Sequence, residues 1–224
     1  MPDGAKIINT SKSANYISGR KIFLLDSINT ETCAELIGNI SNMVDELHWR
    51  PESIGINLGS IPNPYSLPKN APQVIDICID SPGGQLSVTK SIMSLLNLAR
   101  AKGAIIRTFI TGNASSCASL IAVQGTPGFR IMYEQSYNLI HYGRSVYSVT
   151  KPIEIDKAAK YEKEMRDSFF APYLQYTNIT KRELLKYQRT EYSQISAYDC
   201  LDKKMCDWIL TSQGTFINRK TKQR

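Results

Sequence analysis

A serine and a histidine 25 residues apart (141 − 116) are the side chains in this sequence that could carry out nucleophilic chemistry together. Ser116 lies in the small-residue stretch 112–118 (GNASSCA), and His141 closes the apolar run 137–140 (YNLI). A serine hydroxyl is a weak nucleophile at neutral pH unless a neighbouring imidazole takes its proton. The second of the two histidines, His48, has no comparable setting. The sequence therefore predicts Ser116 as a nucleophile and His141 as its general base.

Two adjacent glycines could provide the backbone groups that such a reaction needs. Gly83 and Gly84 end the sequence Ser-Pro-Gly-Gly, and neither carries a side chain that would keep a ligand away from the backbone N–H groups. The N–H of Gly84 and that of Cys117, directly after Ser116, are predicted to hold a developing oxyanion. Ser-Pro-Gly-Gly alone is also an ordinary turn, and small residues around a serine also serve close helix packing. The order of these segments after successive strands favours catalysis.

The elements that must position these residues alternate between strands and helices. Short apolar runs predict strands at 21–25, 74–79, 104–110, 130–133 and 137–141. Apolar residues at helical spacing predict helices that begin near Thr30, after Gly84 and after Ser116, and others over 153–176 and 199–210. The run 74–79 is apolar almost throughout, as parallel strands covered on both faces are, so it should lie centrally in the sheet. The prediction is an α/β fold with both chemical turns beyond strand ends, where ligands collect.

The helix predicted over 153–176 has more apolar residues than one face requires, Phe169 and Phe170 among them. Such an excess predicts that the helix packs against another subunit.

The length and composition of the chain limit the classes of protein to which it can belong. The chain has 224 residues, 42% of them hydrophobic, which is enough for one sizeable core, and we expect one domain. The five cysteines show no CxxC spacing, which indicates reduced thiols in a cytoplasmic compartment. No apolar stretch approaches the roughly 20 residues needed to cross a bilayer, and the first twenty residues lack the apolar core of a signal peptide. We therefore expect a protein that neither spans a membrane nor is secreted.

The formal net charge of +7 invites the hypothesis of nucleic-acid binding. Much of the excess lies in the tail 219–224 and in segments such as 157–164, where acidic residues are interleaved with lysines. Solvated faces and a frayed tail explain such a pattern, so no nucleic-acid partner is expected. No cofactor and no metal ion is expected either.

Taken together, these motifs resemble those of the proteolytic subunit of the Clp protease, the ClpP family. The segment 20–24 (RKIFL) with Ile28 resembles the family's opening strand, and 79–84 (IDSPGG) resembles its Asn-Ser-Pro-Gly-Gly signature. The segment 112–116 (GNASS) matches Gly-x-Ala-x-Ser around the family's nucleophile, and 140–141 matches its Ile-His at the same 25-residue step. The resemblance extends from about residue 20 to residue 210. The combination is specific, although each motif alone is not.

The resemblance implies a crotonase-like α/β fold of repeated β-β-α and βαβ units with a protruding handle helix at about 153–176, on which one ring meets the other. It implies a Ser-His-Asp triad inside two stacked seven-membered rings, homo- or hetero-oligomeric, that take protein or peptide substrates from an ATP-dependent AAA+ unfoldase. On this basis the chain divides into an N-terminal segment 1–19, a peptidase domain 20–212 with an insertion at 50–73, and a basic tail 213–224. Cytoplasmic localisation is expected, with an organellar or viral origin as alternatives.

The acid of the implied triad departs from the family pattern. The segment 188–197 holds no aspartate, and its nearest carboxylate is Glu191. Counting forward from the preceding family motif, Thr177-Asn178, places the acid of the triad at Glu191. Counting back from the following Ser196-Ala197 places it at Tyr192. Asp199 and Asp202 are the other candidates.

Three functions therefore compete at this stage. The first is a serine endopeptidase that forms an acyl-enzyme at Ser116. The second is a non-catalytic ring subunit with a structural role, and the third is a crotonase relative that processes acyl-CoA. The presence of both Ser116 and His141 favours the peptidase.

Overall fold

A computed structural model describes residues 13–48, 63–67, 73–143, 152–189 and 194–221. Most of the predicted insertion 50–73 lies outside these ranges, and so does Glu191.

In the described part of the chain, a mixed sheet of nine strands forms the centre of the fold. Its main order is β1-β2-β3-β4-β5-β8-β9, and β6 pairs with both β4 and β7. The contacts of β3 with β2 and β4, and those of β5 with β4 and β8, are parallel. The strands are β1 (Tyr16–Ser18), β2 (Lys21–Leu24), β3 (Val74–Ser81), β4 (Ile105–Ser115), β5 (Arg130–Tyr133), β6 (Tyr137–Leu139), β7 (Gln194–Ser196), β8 (Trp208–Leu210) and β9 (Phe216–Ile217).

The helices of the described residues are α1 (Thr30–Asp45), α2 (Leu86–Ala101), α3 (Cys117–Val123), α4 (Pro152–Tyr176), α5 (Lys181–Arg189) and α6 (Ala197–Asp202). The N-cap of α1 is Asn29. The Asn29 side chain accepts a hydrogen bond from the Thr32 N–H at 2.9 Å, and the Thr32 hydroxyl accepts one from the Asn29 N–H at 3.3 Å. This reciprocal pair satisfies two N–H groups that a helix start otherwise leaves open. None of the described helices is both long enough and apolar enough to cross a membrane.

Strand β3 lies between β2 and β4, parallel to both, as its apolar sequence predicted. Its isoleucines at 75, 77 and 79 are fully buried in the main core, which α1, α2 and α3 also line. A smaller cluster formed by Phe109, Ile131 and Trp208 is separate from this main core. Apolar packing at both sites explains why the central strands carry so few exposed residues.

One ion pair crosses the central strands. Asp76 and Arg107 are opposite each other in the β3–β4 register, and the guanidinium donates to both carboxylate oxygens, at 2.7 and 2.9 Å. Arg107 also donates to the Pro64 carbonyl at 3.0 Å, and the Tyr65 ring lies over its guanidinium at 4.6 Å. Burying two charges is tolerable only when they are paired and hydrogen-bonded as here. The pair thereby holds segment 63–67 against the sheet.

Two boundaries differ from the sequence prediction. The small-residue stretch before Ser116 was predicted as a turn, but β4 continues as a strand to Ser115, where Ala114 pairs with Ser81. The predicted helix 199–210 ends at Asp202, and Trp208–Leu210 is strand β8, which pairs with β5. In both cases pairing with a distant strand overrides the local pattern.

Helix α4 has two different halves. Residues 155–164 are not buried, and they include Ile155, which is 58% exposed, and Tyr161, which is 51% exposed. Phe169, Phe170 and Tyr173 are buried in the main core. The interpretation that Phe169 and Phe170 exceed what one chain can bury is therefore wrong, because this chain buries both.

Candidate active site

Ser116 occupies a strained turn between a strand and a helix. Strand β4 ends at Ser115 and α3 begins at Cys117, and Ser116 between them has φ 52° and ψ −120°. Residues other than glycine rarely adopt such a backbone conformation, because its strain costs about 1–3 kcal/mol. Residues strained in this way cluster at functional sites. The sharp strand-to-helix turn presents the serine hydroxyl at the edge of the sheet, as nucleophile elbows do.

His141 is brought to the same edge by strand β6. Strands β6 and β4 are parallel, with Leu139 opposite Ser115, so the residues that follow the two strands are neighbours. The backbone N–H of Ser116 donates to the Leu139 carbonyl at 2.8 Å, which ties the turn to the strand. Ile140 is 1% exposed and anchors the chain directly before the half-buried His141.

The predicted nucleophile, base and backbone donors line one cleft of about 510 Å³. It contains Ser116, His141, Gly84 and Cys117, together with Gly83. The structure thus brings together four of the five predicted site residues. The fifth, Glu191, lies outside the described residues.

The glycine pair is held between the Ser116 turn and the loop after β2. The Gly83 carbonyl accepts a hydrogen bond from the Ile28 N–H at 2.8 Å, and the Ile28 carbonyl accepts one from Gln85 at 2.7 Å. A Cβ on Gly83 would lie 2.8 Å from the Cys117 nitrogen, and one on Gly84, whose φ is +153°, would collide with the Ile28 carbonyl. Only residues without a side chain allow this close approach. The sequence motif contains both glycines but gives no sign of this clamp, the pair of backbone hydrogen bonds that Ile28 makes with Gly83 and Gln85.

Gly84→Ala is expected to lower the thermal unfolding temperature, because the new Cβ combines backbone strain with a collision. Strain of this kind costs about 1–3 kcal/mol. The matched control is Gly38→Ala in α1, where an added Cβ meets nothing within 4 Å. Alanine there should raise stability by about 0.5–1 kcal/mol. Thermal unfolding of both variants would check the pair, and a Gly84→Ala protein as stable as the wild type would contradict the close approach at Ile28.

Cys117 supports the site with a buried thiol. Burial raises the pKa of this thiol, and polar groups of Thr89, Gly84 and Ser116 act in the opposite direction. The thiol is therefore neutral at physiological pH and is not a nucleophile. Among the described residues, no hydrogen bond joins Ser116 to His141. Catalytic hydrogen bonds in unliganded sites are often long and tighten only when substrate binds.

Strand β7 bears on the choice of the acid. It runs antiparallel to β6, with Gln194 opposite Leu139 and Ser196 opposite Tyr137. The chain therefore enters β7 beside the end of β6 that leads to His141, and leaves it at the opposite end. Glu191 precedes Gln194 by three positions, on the entering side.

The two alternative aspartates follow the far end of β7. The Asp199 carboxylate accepts a hydrogen bond from the Ser196 hydroxyl at 2.7 Å, as part of the α6 cap. Asp202 is exposed on the same helix. Neither lines the cleft.

The apolar walls of the cleft were not identified from the sequence. They include Leu86, the first residue of α2, and Met165 and Phe169 from α4. Met165 and Phe169 are four residues apart, and this helical spacing was the available signal. A cleft with such walls can accept an apolar side chain of a ligand.

The curated relatives with detectable sequence similarity include two Clp protease subunits. The ATP-dependent Clp protease proteolytic subunit of Deinococcus radiodurans is 25% identical over 124 residues, which are 55% of this chain and 59% of that relative. Subunit 1 of the same name from Tropheryma whipplei, strain Twist, is 28% identical over 156 residues, which are 68% of this chain and 72% of that relative. The match to the first relative thus spans less than two thirds of its length.

Solved structures show the same fold at low sequence identity. A peptidase from Plasmodium falciparum superimposes with a TM-score of 0.62 at 16% identity, over 85% of this chain and 95% of that one. The ClpP protease catalytic domain from Plasmodium falciparum gives 0.59 at 20% identity, over 85% and 84% of the two chains. These likenesses agree with the predicted α/β class and its ClpP-like architecture.

The family model described as Clp protease matches residues 66–213, which include Ser116, His141 and both glycines. With a match over more than half of its length, the chain belongs to the Clp protease family.

Proposed function

We propose that the chain is a serine endopeptidase that hydrolyses peptide bonds through an acyl-enzyme at Ser116. The observation that carries the proposal is the convergence of Ser116, His141 and two backbone donors in one cleft, with the serine in a strained elbow. A crotonase relative that processes acyl-CoA would not need a serine and histidine pair. A non-catalytic ring subunit would not need the strained conformation of Ser116.

In the proposed reaction, His141 takes the proton of the Ser116 hydroxyl as the oxygen attacks the scissile carbonyl. His141 then gives this proton to the leaving amine, and a water molecule activated by the same imidazole hydrolyses the acyl-enzyme. None of these steps consumes ATP.

The N–H groups of Gly84 and Cys117 are proposed to hold the oxyanion that forms during attack. In a serine protease, the loss of one such donor lowers the rate by about 10² to 10³. Hydrogen bonds to a charged oxygen are roughly twice as strong as those to a neutral one, so these two donors would bind the developing oxyanion more tightly than the substrate carbonyl.

Glu191 is proposed as the carboxylate that orients His141. The support is its place in the sequence, because Glu191 precedes Gln194 by three positions and Gln194 lies opposite Leu139, two residues before His141. Asp199 and Asp202 remain the alternatives, but both follow the far end of β7 and neither lines the cleft.

The chain is further proposed to work in an oligomeric ring that an AAA+ unfoldase supplies with protein or peptide substrates. The curated relatives are named proteolytic subunits of an ATP-dependent protease, which supports this arrangement. The unburied half of α4 exposes Ile155 and Tyr161 among charged residues, and we propose this surface for contact between rings. We propose a cytoplasmic location, in keeping with five free cysteines.

A fluorophosphonate probe combined with native mass spectrometry would test catalysis and assembly together. We expect an oligomer in which each chain gains one adduct, mapped by peptide sequencing to Ser116. Ser115→Ala, which removes the adjacent hydroxyl that donates to Asn113 at 2.9 Å, should keep the adduct, and Ser116→Ala should lose it. An assembled protein that takes no adduct would favour the structural ring subunit instead. A monomer at micromolar concentration would overturn the ring.

A further inference from the structure

Three buried polar side chains form a continuous hydrogen-bond chain beneath the candidate site. The Tyr173 hydroxyl donates to the Ser119 hydroxyl at 2.8 Å, and the Ser119 hydroxyl donates to the Asn138 side-chain oxygen at 2.6 Å. All three residues are 0% exposed. The Asn138 amide nitrogen has no hydrogen-bond partner in the part of the chain that the structure describes.

This hydrogen-bond network connects α3, which follows the proposed nucleophile, to β6, which leads to the proposed base. Ser119 follows Ser116 by one turn of α3, and its N–H donates to the Ser116 carbonyl at 3.1 Å. Asn138 lies on β6, three residues before His141. Their side chains meet directly, so they link α3 to β6 in addition to the backbone bond from Ser116 to Leu139.

Tyr173 brings a third element into the same contact. It belongs to α4, one turn after Phe169, which is a wall of the cleft, and the two rings lie 5.9 Å apart. Burial raises the pKa of the Tyr173 phenol, so its hydroxyl stays protonated and serves as a donor. Through the Tyr173 hydroxyl, the position of α4 is linked to the distance between α3 and β6.

Stability alone does not account for this arrangement. Polar groups in a core carry a desolvation cost, and replacing both partners of a buried hydrogen bond by apolar groups of the same shape can be nearly neutral. The unpartnered Asn138 nitrogen adds to the cost. Unlike apolar contacts, hydrogen bonds are directional and fix distances between their elements.

We propose that Tyr173, Ser119 and Asn138 are positioning residues that set the distance between Ser116 and His141 according to the position of α4. The inference rests on the proposed peptidase function. It extends that function, because α4 also carries the unburied half with Ile155 and Tyr161, so contacts made there would reach the catalytic pair through Tyr173.

Tyr173→Phe tests the first link, because it removes one hydroxyl and keeps the packed ring. We expect kcat for a short peptide and the rate of probe addition at Ser116 to fall about tenfold, in proportion to one hydrogen bond, with KM unchanged. The matched control is Tyr176→Phe, three residues further along α4, which removes a hydroxyl that accepts from Arg100 at 3.4 Å outside the cleft. This control should keep the wild-type kcat.

A triple variant separates positioning from stability. Tyr173→Phe combined with Ser119→Ala and Asn138→Leu replaces all three members of the hydrogen-bond network by apolar side chains. The thermal stability of this variant should recover relative to that of Ser119→Ala alone, while its kcat should stay low. Recovery of kcat together with stability would overturn the positioning role, as would a Tyr173→Phe protein that reacts at the wild-type rate. A wild-type protein that takes no probe would sink the proposed function and this inference with it.

Discussion

Ser116→Ala is expected to lower peptide turnover by about 10⁶, as the loss of a catalytic serine does in serine proteases. The substitution removes the oxygen that attacks the carbonyl but almost no packed volume, because Ser116 is only half-buried at the edge of the cleft. Folding and assembly should therefore be preserved. Steady-state hydrolysis of a fluorogenic peptide, with native mass spectrometry of the same sample, would measure both effects.

His141→Ala should produce a loss of the same size, and the double variant should be no worse than either single one. Nucleophile and base act as a unit, so removing the second member of an already broken pair costs nothing more. Ser115→Ala is the control and should remain active. Clearly additive losses would assign His141 to binding or structure, and an inactive Ser115→Ala protein beside an active Ser116→Ala protein would move the nucleophile by one residue.

Glu191→Gln is expected to lower turnover by about 10⁴, the effect seen when the orienting carboxylate of a serine-protease triad becomes an amide. Glutamine keeps the size of the side chain but loses the charge that stabilises the imidazolium formed during attack. Assembly should not change, because the substitution removes no apolar surface. The measurement is again kcat for a fluorogenic peptide.

Asp199→Asn and Asp202→Asn are the matched controls for Glu191, since each exchanges one carboxylate for an amide in the same region of the chain. Asp199 belongs to the α6 cap, so its variant should lose some stability and keep its activity. An active Glu191→Gln protein beside an inactive aspartate variant would reassign the acid. If all three variants remain active, the site works as a Ser116 and His141 dyad.

Much of the candidate site could be predicted from short motifs. Ser116, Gly84 and Cys117 belong to runs of small residues after strands, and the parallel sheet places the ends of such strands at one edge. His141 was predicted as the base because the other histidine, His48, does not follow an apolar strand-like run. Each of these inferences uses only local sequence and one general property of α/β sheets.

The remaining parts of the site depend on contacts between distant segments. The pairing of β6 with β7, which places Gln194 opposite Leu139, joins two strands of three residues that have little pattern of their own. The network from Tyr173 to Asn138 could not be predicted either, because a serine in a short helix and an asparagine in a strand look like ordinary surface residues. Phe169 was misinterpreted for the same reason, since the sequence does not show which element covers it.

The clamp between Ile28 and the glycine pair determines when catalytic competence can arise during folding. Ile28 is 55 positions (83 − 28) before Gly83 in the sequence, and Ser116 and His141 come later still. Contacts between residues so far apart form late, because a long loop must close before they are made. A partly folded chain in which the loop after β2 has not yet reached the glycine pair therefore lacks the backbone hydrogen bonds that hold Gly83 and Gly84 beside the Ser116 turn. Under the proposed function, a chain could hydrolyse peptides only after this contact has formed.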